Sequence, residues 1–229
     1  KVDDEIKFLN YFAHRKRNLT NAKIFAITGS AGKTSLKNLI TDLLNNFGAT
    51  FSSPKSFNNH LGVPLSLSQL KTEHKYGVFE VGMSKQGEIN KLSKLVRPHI
   101  GVITNIGEAH IENFKNLKGI ANAKGELISN IKKNGTIILN RDDKYFNYLK
   151  KKAKLKKLKI VSFGMSKKSN IFPISAKKIK NKIRLIVKIN DQILKFNIKN
   201  LNIYNVLASL AVLKEINLNL NQVINLFMK

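Results

Sequence analysis

The chain has 229 residues, contains no cysteine, and carries 41 basic against 14 acidic side chains, which gives a formal net charge of +27. The missing cysteine excludes disulfide bonds, thiolate catalysis and cysteine-ligated metals, and it is typical of proteins from a reducing compartment. Because no apolar run approaches the ~18 residues that span a bilayer and the first residues lack the pattern of a secretory signal, we expect a soluble cytoplasmic protein without membrane insertion.

The positive charge by itself suggests a nucleic-acid or other anionic partner. Lysine is nevertheless spread through the whole chain together with abundant Asn, Ile and Phe, as codon bias in an AT-rich genome would produce. The densest basic run, residues 150–157, contains no aromatic side chain that could stack on bases. We therefore interpret this run as a solvated helix end and expect no nucleic-acid partner.

The spacing of apolar residues predicts a short leading helix over residues 3–18, followed by alternating strands and helices. Predicted strands occupy residues 22–28, 49–52, 76–81, 99–104, 136–140 and 158–163. Predicted helices occupy residues 33–47, 63–70, 88–96, 117–130 and 142–154. We interpret Asn140, Asp142 and Asp143 as capping residues of the last of these helices. The alternation predicts an α/β fold, in which a mostly parallel sheet carries helices on both faces.

After Gly164 the pattern changes to a period of two. Residues 171–175, 182–189 and 192–198 alternate apolar and polar side chains, with a turn at Asn190-Asp191. We therefore predict a small antiparallel β-meander within residues 165–200. The remaining segments, 202–215 and 219–228, return to helical spacing.

The strongest local motif is Thr28-Gly29-Ser30-Ala31-Gly32-Lys33-Thr34-Ser35, which follows a predicted strand and opens a predicted helix. In that position the backbone N–H groups and the helix N-terminus can bind the phosphates of a nucleotide. Lys33 is expected to reach the β- and γ-phosphates, and the Thr34 hydroxyl is expected to bind Mg²⁺. A common phosphate loop has another glycine five residues before Gly32, where this chain has Ile27, so the loop is a shortened form.

Three later segments accompany this loop: FNNHLGVP at residues 57–64, EVGMSKQGEI at residues 80–89 and NIGEAH at residues 105–110. In this order, the motifs resemble the Mur ligase superfamily, which also includes folylpolyglutamate synthases and cyanophycin synthetases. The resemblance covers nearly all of the chain. Within the superfamily, the motifs are most similar to the ligases that join D-Ala-D-Ala to UDP-MurNAc-tripeptide.

The resemblance implies an ATP-dependent amide ligase with a P-loop NTPase-like fold. ATP would phosphorylate the terminal carboxylate of UDP-MurNAc-tripeptide, and the amine of D-Ala-D-Ala would attack the resulting acyl phosphate. It further implies that residues 1–229 are the ATP-binding central domain, with residues 1–20 as a lead-in helix. The N-terminal UDP-sugar-binding domain and the C-terminal domain would then be absent. We expect such a chain to be a monomer and to be inactive on its own.

The resemblance also assigns roles to individual residues. Glu80, at the end of a predicted strand, would complete the coordination of an ATP-bound Mg²⁺ together with Thr34. His110 would bind a second Mg²⁺. In most Mur ligases the lysine that matches Lys124 is carbamylated by CO₂, which turns a cation into an anionic oxygen donor. We expect carbamylated Lys124 to hold the second Mg²⁺ or to position the γ-phosphate, so the predicted catalytic residues are Lys33, His110 and Lys124.

Four asparagines complete the predicted site. Asn58 and Asn59 resemble the loop that contacts the muramoyl-peptide substrate. Asn202 and Asn205 match an HNxxN motif that opens a helix and contacts adenine in this family, with Leu201 in place of the usual histidine.

Three alternatives remain open from the sequence. The first is another ligase of the same superfamily, with a different acceptor or amine. The second is a phosphate-loop NTPase that acts on nucleic acid, which would carry Glu80, His110 and Lys124 by coincidence and bind with a steep salt dependence. The third is a nucleotide-binding module without catalytic activity.

Overall fold

One continuous sheet of nine strands forms the middle of the computed structural model, which describes residues 3–228. In chain order the strands are β1 (Lys23–Thr28), β2 (Thr50–Ser52), β3 (Tyr76–Glu80), β4 (Ile100–Ile103), β5 (Thr136–Asn140), β6 (Lys159–Phe163), β7 (Ile171–Ile179), β8 (Lys182–Ile189) and β9 (Gln192–Ile198). Their order across the sheet is β2-β3-β1-β4-β5-β6-β7-β8-β9, and the strands from β2 to β6 are all parallel.

Eight α-helices cover the two faces of this sheet in the described residues. They are α1 (Glu5–Leu19), α2 (Lys33–Leu44), α3 (Gly62–Ser68), α4 (Glu88–Val96), α5 (Leu117–Lys124), α6 (Glu126–Ser129), α7 (Phe146–Leu155) and α8 (Ile203–Glu215). Helices α2 and α8 belong to the apolar core on one face, and the other six belong to the core on the opposite face. The predicted α/β class with a mostly parallel, doubly covered sheet is therefore confirmed.

The central strands supply side chains to both cores because successive residues of a strand point to opposite faces. In β1, Phe25 and Ile27 pack with α2 and α8, whereas Ile24 and Ala26 pack with the helices on the other side. A strand buried on both faces needs apolar side chains on both, which explains the apolar run at residues 24–27.

The strand order creates a crevice next to β1. From β1 the chain runs to β2 and β3 on one side, and then crosses to β4, β5 and β6 on the other side. Loops that leave the carboxyl ends of β1 and β4 consequently diverge, and such a point is where open α/β sheets bind ligands. The phosphate-loop motif lies in the turn between β1 and α2.

The antiparallel meander is confirmed, but it extends the main sheet. Strand β7 joins the parallel part through the pair Phe163–Ile171, and β7, β8 and β9 then pair antiparallel. Leu185, Val187 and Ile189 of β8 share the core with α2 and α8. The strand predicted at residues 171–175 continues to Ile179, because its outer half pairs with β8 along its whole length.

Several predicted helix boundaries are wrong. Helix α2 ends at Leu44 instead of residue 47, and residues 45–47 form a turn. The helix predicted at residues 117–130 is divided at Gly125, a poor helix former, after which the backbone bonds span three residues. The helix predicted at residues 219–228 is a pair of 3-10 turns, Leu220–Gln222 and Ile224–Met228.

The capping role is wrong for Asn140 and Asp142, neither of which bonds to the first turn of α7. Helix α7 begins at Phe146, and its N-cap residue, Tyr145, makes no side-chain capping bond. Both Asp142 and Asp143 accept hydrogen bonds from backbone N–H groups of loops that are distant in sequence, as described below. Asp143 also accepts from Tyr145 N–H at 2.8 Å in the turn before α7.

Within residues 3–228, none of the helices combines the length and the apolar character required to cross a membrane.

The packing of α8 against the sheet gives a stability prediction. Leu210 of α8 is fully buried, so Leu210→Ala leaves a cavity and is expected to lower the free energy of unfolding by about 2–5 kcal/mol. Urea denaturation followed by circular dichroism measures this change. Leu155→Ala on α7, where the leucine is 78% exposed, is the matched control and should change stability by less than about 0.5 kcal/mol. Equal losses for the two variants would contradict the packing of α8.

Candidate nucleotide and metal site

The loop between β1 and α2 requires glycine at two positions. Gly29 has φ +153°, and a Cβ added there would lie 1.8 Å from the Thr104 Oγ1 atom at the end of β4. Gly32, the N-cap residue of α2, has φ +78°, and an added Cβ would lie 3.2 Å from Asn205 Oδ1. The loop is thus pressed between the end of β4 and the beginning of α8, and only glycine fits the backbone at these positions.

The segment after β4 holds this loop through a set of short hydrogen bonds. Thr104 Oγ1 donates to Ala31 O at 2.7 Å, and Asn105 Oδ1 accepts from Ala31 N–H at 2.9 Å. Ser30 Oγ donates to Gly107 O at 2.9 Å and accepts from Gly107 N–H at 2.8 Å. The sequence predicted the loop residues but not these partners, which lie more than 70 positions away.

Glu80 and Thr34 meet directly. The Glu80 carboxylate at the end of β3 is 1% exposed, and Thr34 Oγ1 donates to its Oε2 atom at 2.7 Å. Asn58 Nδ2 donates to Oε1 at 2.7 Å, and the Glu80 N–H donates to Ser53 Oγ at 3.1 Å. Each carboxylate oxygen therefore has one neutral donor and keeps lone pairs that can bind a cation.

Both predicted catalytic lysines lie beside this network. Lys33 Nζ donates to Gly29 O at 3.0 Å within the phosphate loop. Lys124, the last residue of α5, is 3% exposed, and its pKa is lowered to about 7. Burial is the larger cause of this shift, and the positive charge of Lys33 is the second. Near neutral pH a large fraction of Lys124 is consequently a free amine.

A cavity of about 780 Å³ opens on the β3 side of the phosphate loop. Six predicted site residues line it: Gly29, Lys33, Asn58, Asn59, His110 and Lys124. The opposite rim carries Lys85, Glu88 and Lys91 from α4 and the turn before it.

His110 occupies an exposed part of this cavity wall. Its side chain is 47% exposed, and its Nδ1 atom lies 3.8 Å from the Glu112 carboxylate. The backbone of His110 is left-handed, with φ +65°, which is uncommon for a residue other than glycine. Among residues 3–228, no three His, Cys, Asp or Glu side chains converge as a ready-made metal site.

A second cavity, of about 490 Å³, lies on the α8 side of the same loop. It is lined by Ala31, Gly32, Ser35, Phe163, Asn202 and Asn205, among others. Asn202 is the N-cap residue of α8, and its Oδ1 atom accepts from the N–H groups of Tyr204 at 2.9 Å and Asn205 at 3.3 Å. The two predicted adenine residues therefore lie at one wall of a cavity that begins at the phosphate loop.

Two aspartates that were predicted to be helix caps bond to loops near this second cavity, and one of them bonds to Tyr204 in its wall. Asp142 accepts from the N–H groups of Met165 and Ser166, and the Tyr204 hydroxyl donates to it at 3.1 Å. Burial, and secondarily Asp142, raise the pKa of the Tyr204 hydroxyl. Asp143 accepts from Ile106 N–H at 2.6 Å, which ties the segment after β4 to the segment after β5.

Comparison with known proteins identifies a family over most of the chain. The family model for the Mur ligase middle domain matches residues 27–213. The UDP-N-acetylmuramoyl-tripeptide–D-alanyl-D-alanine ligase of Buchnera aphidicola subsp. Acyrthosiphon pisum is 46% identical over 156 residues, which are 68% of this chain and 34% of that protein. The ligase of the same name from Rickettsia prowazekii is 37% identical over 198 residues, 86% of this chain and 44% of that protein.

Solved structures agree with this similarity. A crystal structure of MurF from Acinetobacter baumannii superposes with a TM-score of 0.93 at 28% identity, covering 100% of this chain and 50% of that one. MurF ligase from Thermotoga maritima in complex with ADP superposes with a TM-score of 0.86 at 25% identity, covering 95% of this chain and 51% of that one. The chain thus spans about half the length of these proteins.

The lowered pKa of Lys124 predicts a pH-dependent stability. The unfolded chain keeps this amine protonated up to its ordinary pKa of about 10.4, whereas the folded chain releases the proton near pH 7. Between these values the unfolded state binds more protons, so the stability of the folded state falls as pH falls from about 10 to 7. Lys124→Met removes the buried amine and with it this cost. The change that the substitution makes in the free energy of unfolding should therefore be more stabilising at pH 7 than at pH 10, by about 2 kcal/mol or more.

Urea denaturation in CO₂-free buffer at pH 7 and pH 10 measures this difference. Lys118→Met, at an exposed lysine of the same helix, is the control and should show no pH-dependent gain. A Lys124→Met effect of equal size at both pH values would contradict the prediction.

Proposed function

Because the chain belongs to the Mur ligase middle-domain family, we propose that it is the ATP-binding central domain of a ligase that joins D-Ala-D-Ala to UDP-MurNAc-tripeptide. Residues 1–229 form this domain, with residues 1–20 as its lead-in segment, and the UDP-sugar-binding and C-terminal domains belong to the rest of the protein. The observation that carries the proposal is the convergence of Glu80, Thr34 and Lys33 where β1 and β3 end. The names of the similar ligases, and their sequence identity to this chain, support the choice of substrates.

ATP occupies both sides of the phosphate loop in this proposal. The loop N–H groups and the N-terminus of α2 bind the phosphates, and Lys33 neutralises charge on the γ-phosphate. Adenine enters the 490 Å³ cavity beside Asn202, Asn205 and Phe163, where an amide can pair with its edge. The ADP complex of the Thermotoga maritima relative supports nucleotide binding at this fold.

The oxygen atoms of Glu80 and Thr34 suit Mg²⁺, which prefers hard oxygen ligands and retains phosphate and water in its coordination shell. Glu80 is a buried carboxylate whose two hydrogen-bond donors are neutral, and Thr34 adds a hydroxyl oxygen. These two residues would hold an ATP-bound Mg²⁺, which offsets the repulsion between the attacking carboxylate and the γ-phosphate.

Lys124 and His110 would hold the second Mg²⁺ in this proposal. The free amine of Lys124 attacks CO₂, an N–C bond forms, and one proton leaves to solvent, so that a cation becomes an anionic carbamate. Burial and the charge of Lys33 favour the amine that this step requires. The carbamate oxygens and the His110 imidazole would hold a second Mg²⁺ or orient the γ-phosphate.

The reaction needs no nucleophilic side chain. Asn58 and Asn59 hold the acceptor peptide in the 780 Å³ cavity so that its terminal carboxylate faces the γ-phosphorus. The new oxygen–phosphorus bond forms as the bond to ADP breaks. The D-Ala-D-Ala amine then attacks the acyl phosphate carbon, phosphate leaves, and the amine proton passes to solvent. The chain contributes positioning and charge neutralisation throughout.

Substitution of Glu80 tests the proposed function in the full-length protein. Glu80→Gln keeps the size of the side chain but removes its charge, so ADP formation that requires both UDP-MurNAc-tripeptide and D-Ala-D-Ala should fall about 100-fold or more. A coupled assay of ADP release measures it. Glu73→Gln, at a side chain that is 62% exposed, is the control and should keep wild-type activity.

Two results would overturn the assignment. One is a Glu80→Gln variant with full activity, and the other is a wild-type protein whose ADP release does not depend on the two substrates. The isolated 229-residue chain is expected to show no turnover, since the other domains are needed to complete the substrate sites.

The carbamate has its own test. Full-length protein incubated with ¹³C-bicarbonate should show a carbamate carbon resonance by NMR, and Lys124→Arg should abolish it because a guanidinium does not add CO₂. Lys118→Arg, an exchange at an exposed lysine of α5, should keep the resonance. A wild-type spectrum without the signal, or its survival in Lys124→Arg, would refute the modification of Lys124.

A further inference from the structure

A third lysine lies beneath the site and is not used by the mechanism. Lys37 lies one turn after Lys33 on α2 and is only 2% exposed. Its ammonium donates to Ser53 O at 2.6 Å and to Lys55 O at 2.5 Å. Burial lowers the pKa of Lys37, while the charge of Glu80 acts in the opposite direction. Burial of an ammonium is costly, and here two charge-assisted bonds to carbonyl oxygens compensate for it. The position of these two carbonyls therefore indicates what Lys37 stabilises.

The two carbonyls belong to the segment that carries Asn58. This connecting segment, residues 53–58, is the first part of the link from β2 to α3, and it is bonded to β3 at both of its ends. At its start, Ser53 N–H donates to Val78 O at 3.0 Å and Ser53 Oγ accepts from Glu80 N–H at 3.1 Å. At its end, Asn58 O accepts from Gly82 N–H at 2.8 Å, and Asn58 Nδ2 donates to the Glu80 carboxylate at 2.7 Å.

The middle of the connecting segment is bonded to Lys37. Lys55 has a left-handed backbone, with φ +43°, which is unfavourable for a residue with a side chain. The bond from the Lys37 ammonium to Lys55 O is charge-assisted and stabilises this conformation. The turn also has a backbone bond of its own, from Phe57 N–H to Pro54 O at 3.0 Å, so the Lys37 ammonium adds the contacts that hold the turn against α2.

We propose that Lys37 is a positioning residue, whose ammonium fixes the connecting segment so that Asn58 orients the Glu80 carboxylate toward Thr34. This inference rests on the proposed function, in which Glu80 and Thr34 hold Mg²⁺. Lys37 lines neither of the two cavities, and in this proposal it acts only through the connecting segment and Asn58.

The direction of the Mg²⁺ effect separates this role from simple electrostatics. Removal of a positive charge near Glu80 would by itself strengthen Mg²⁺ binding. Loss of the bonds to the connecting segment would weaken Mg²⁺ binding, because the carboxylate is no longer held in one orientation. Lys37→Met removes the charge and the bonds together, so the sign of the change shows which effect dominates.

The first measurement does not depend on activity. In metal-free full-length protein, amide hydrogen exchange of residues 54–58 should accelerate about tenfold in Lys37→Met, while exchange in β5 and α8 stays unchanged. Lys94→Met, at an exposed lysine of α4, is the matched control and should leave all three regions unchanged. Unchanged exchange of residues 54–58 in Lys37→Met overturns the proposal whatever the activity.

The second measurement is the Mg²⁺ concentration that gives half-maximal ADP formation. It should rise about tenfold in Lys37→Met, and Asn58→Ala should remove most of the further effect of Lys37→Met because both act through one contact. Fully additive effects, or a half-saturating Mg²⁺ concentration that falls or stays constant, overturn the proposal while the ligase assignment stands. A wild-type protein without Mg²⁺-dependent ADP formation overturns the ligase assignment instead.

Folding is checked by circular dichroism in every variant. If Lys37→Met does not fold, Lys37→Arg is used, which keeps the charge but cannot place one small ammonium between two carbonyls. The same direction of change is expected in both measurements. If neither variant folds, Lys37 serves the fold as a whole and the proposal is wrong.

Discussion

The burial of the Glu80 carboxylate is the constraint around which the site is built. A charged group that is 1% exposed is tolerated only when hydrogen bonds replace its water. The two carboxylate oxygens accept from Thr34 and Asn58, and the backbone N–H of Glu80 donates to Ser53. These three partners come from α2 and from the segment after β2, so Glu80 joins two other segments of the chain to the end of β3.

Three lysines, Lys33, Lys37 and Lys124, lie in or beneath the same site. Lys37 and Lys124 are both buried, and their pKa values are lowered chiefly because burial disfavours the ammonium. Lys33 adds a further cation that opposes protonation of Lys124. Such an arrangement is costly in the absence of a ligand and favours an anionic one, which agrees with the proposed binding of a triphosphate and with the proposed conversion of Lys124 to an anion.

The phosphate loop divides the ligand space into two parts. The larger cavity lies toward β3 and α4, and the smaller one lies toward α8. This division follows from the strand order, since β1 has β3 on one side and β4 on the other. In the proposed function, a nucleotide bound across the loop would present its γ-phosphate to the larger cavity and its base to the smaller one, which would give the proposed acceptor peptide and adenine separate places.

The sequence by itself determined the order of strands and helices, the phosphate loop and the antiparallel meander, because these depend on periodicity and on neighbouring residues. It also predicted Glu80 and Lys124, but only through resemblance to a family. Only the tertiary structure decided that the Lys37 ammonium donates to carbonyl oxygens of the segment before Asn58. It also decided that Asp142 accepts from the loop after β6 instead of capping α7. These hydrogen-bond partners are 16 to 24 positions apart in the sequence, and the partners of the phosphate loop are more than 70 positions from it. No local sequence pattern can therefore predict them. They are set by which strands become neighbours, and that depends on how the whole chain packs.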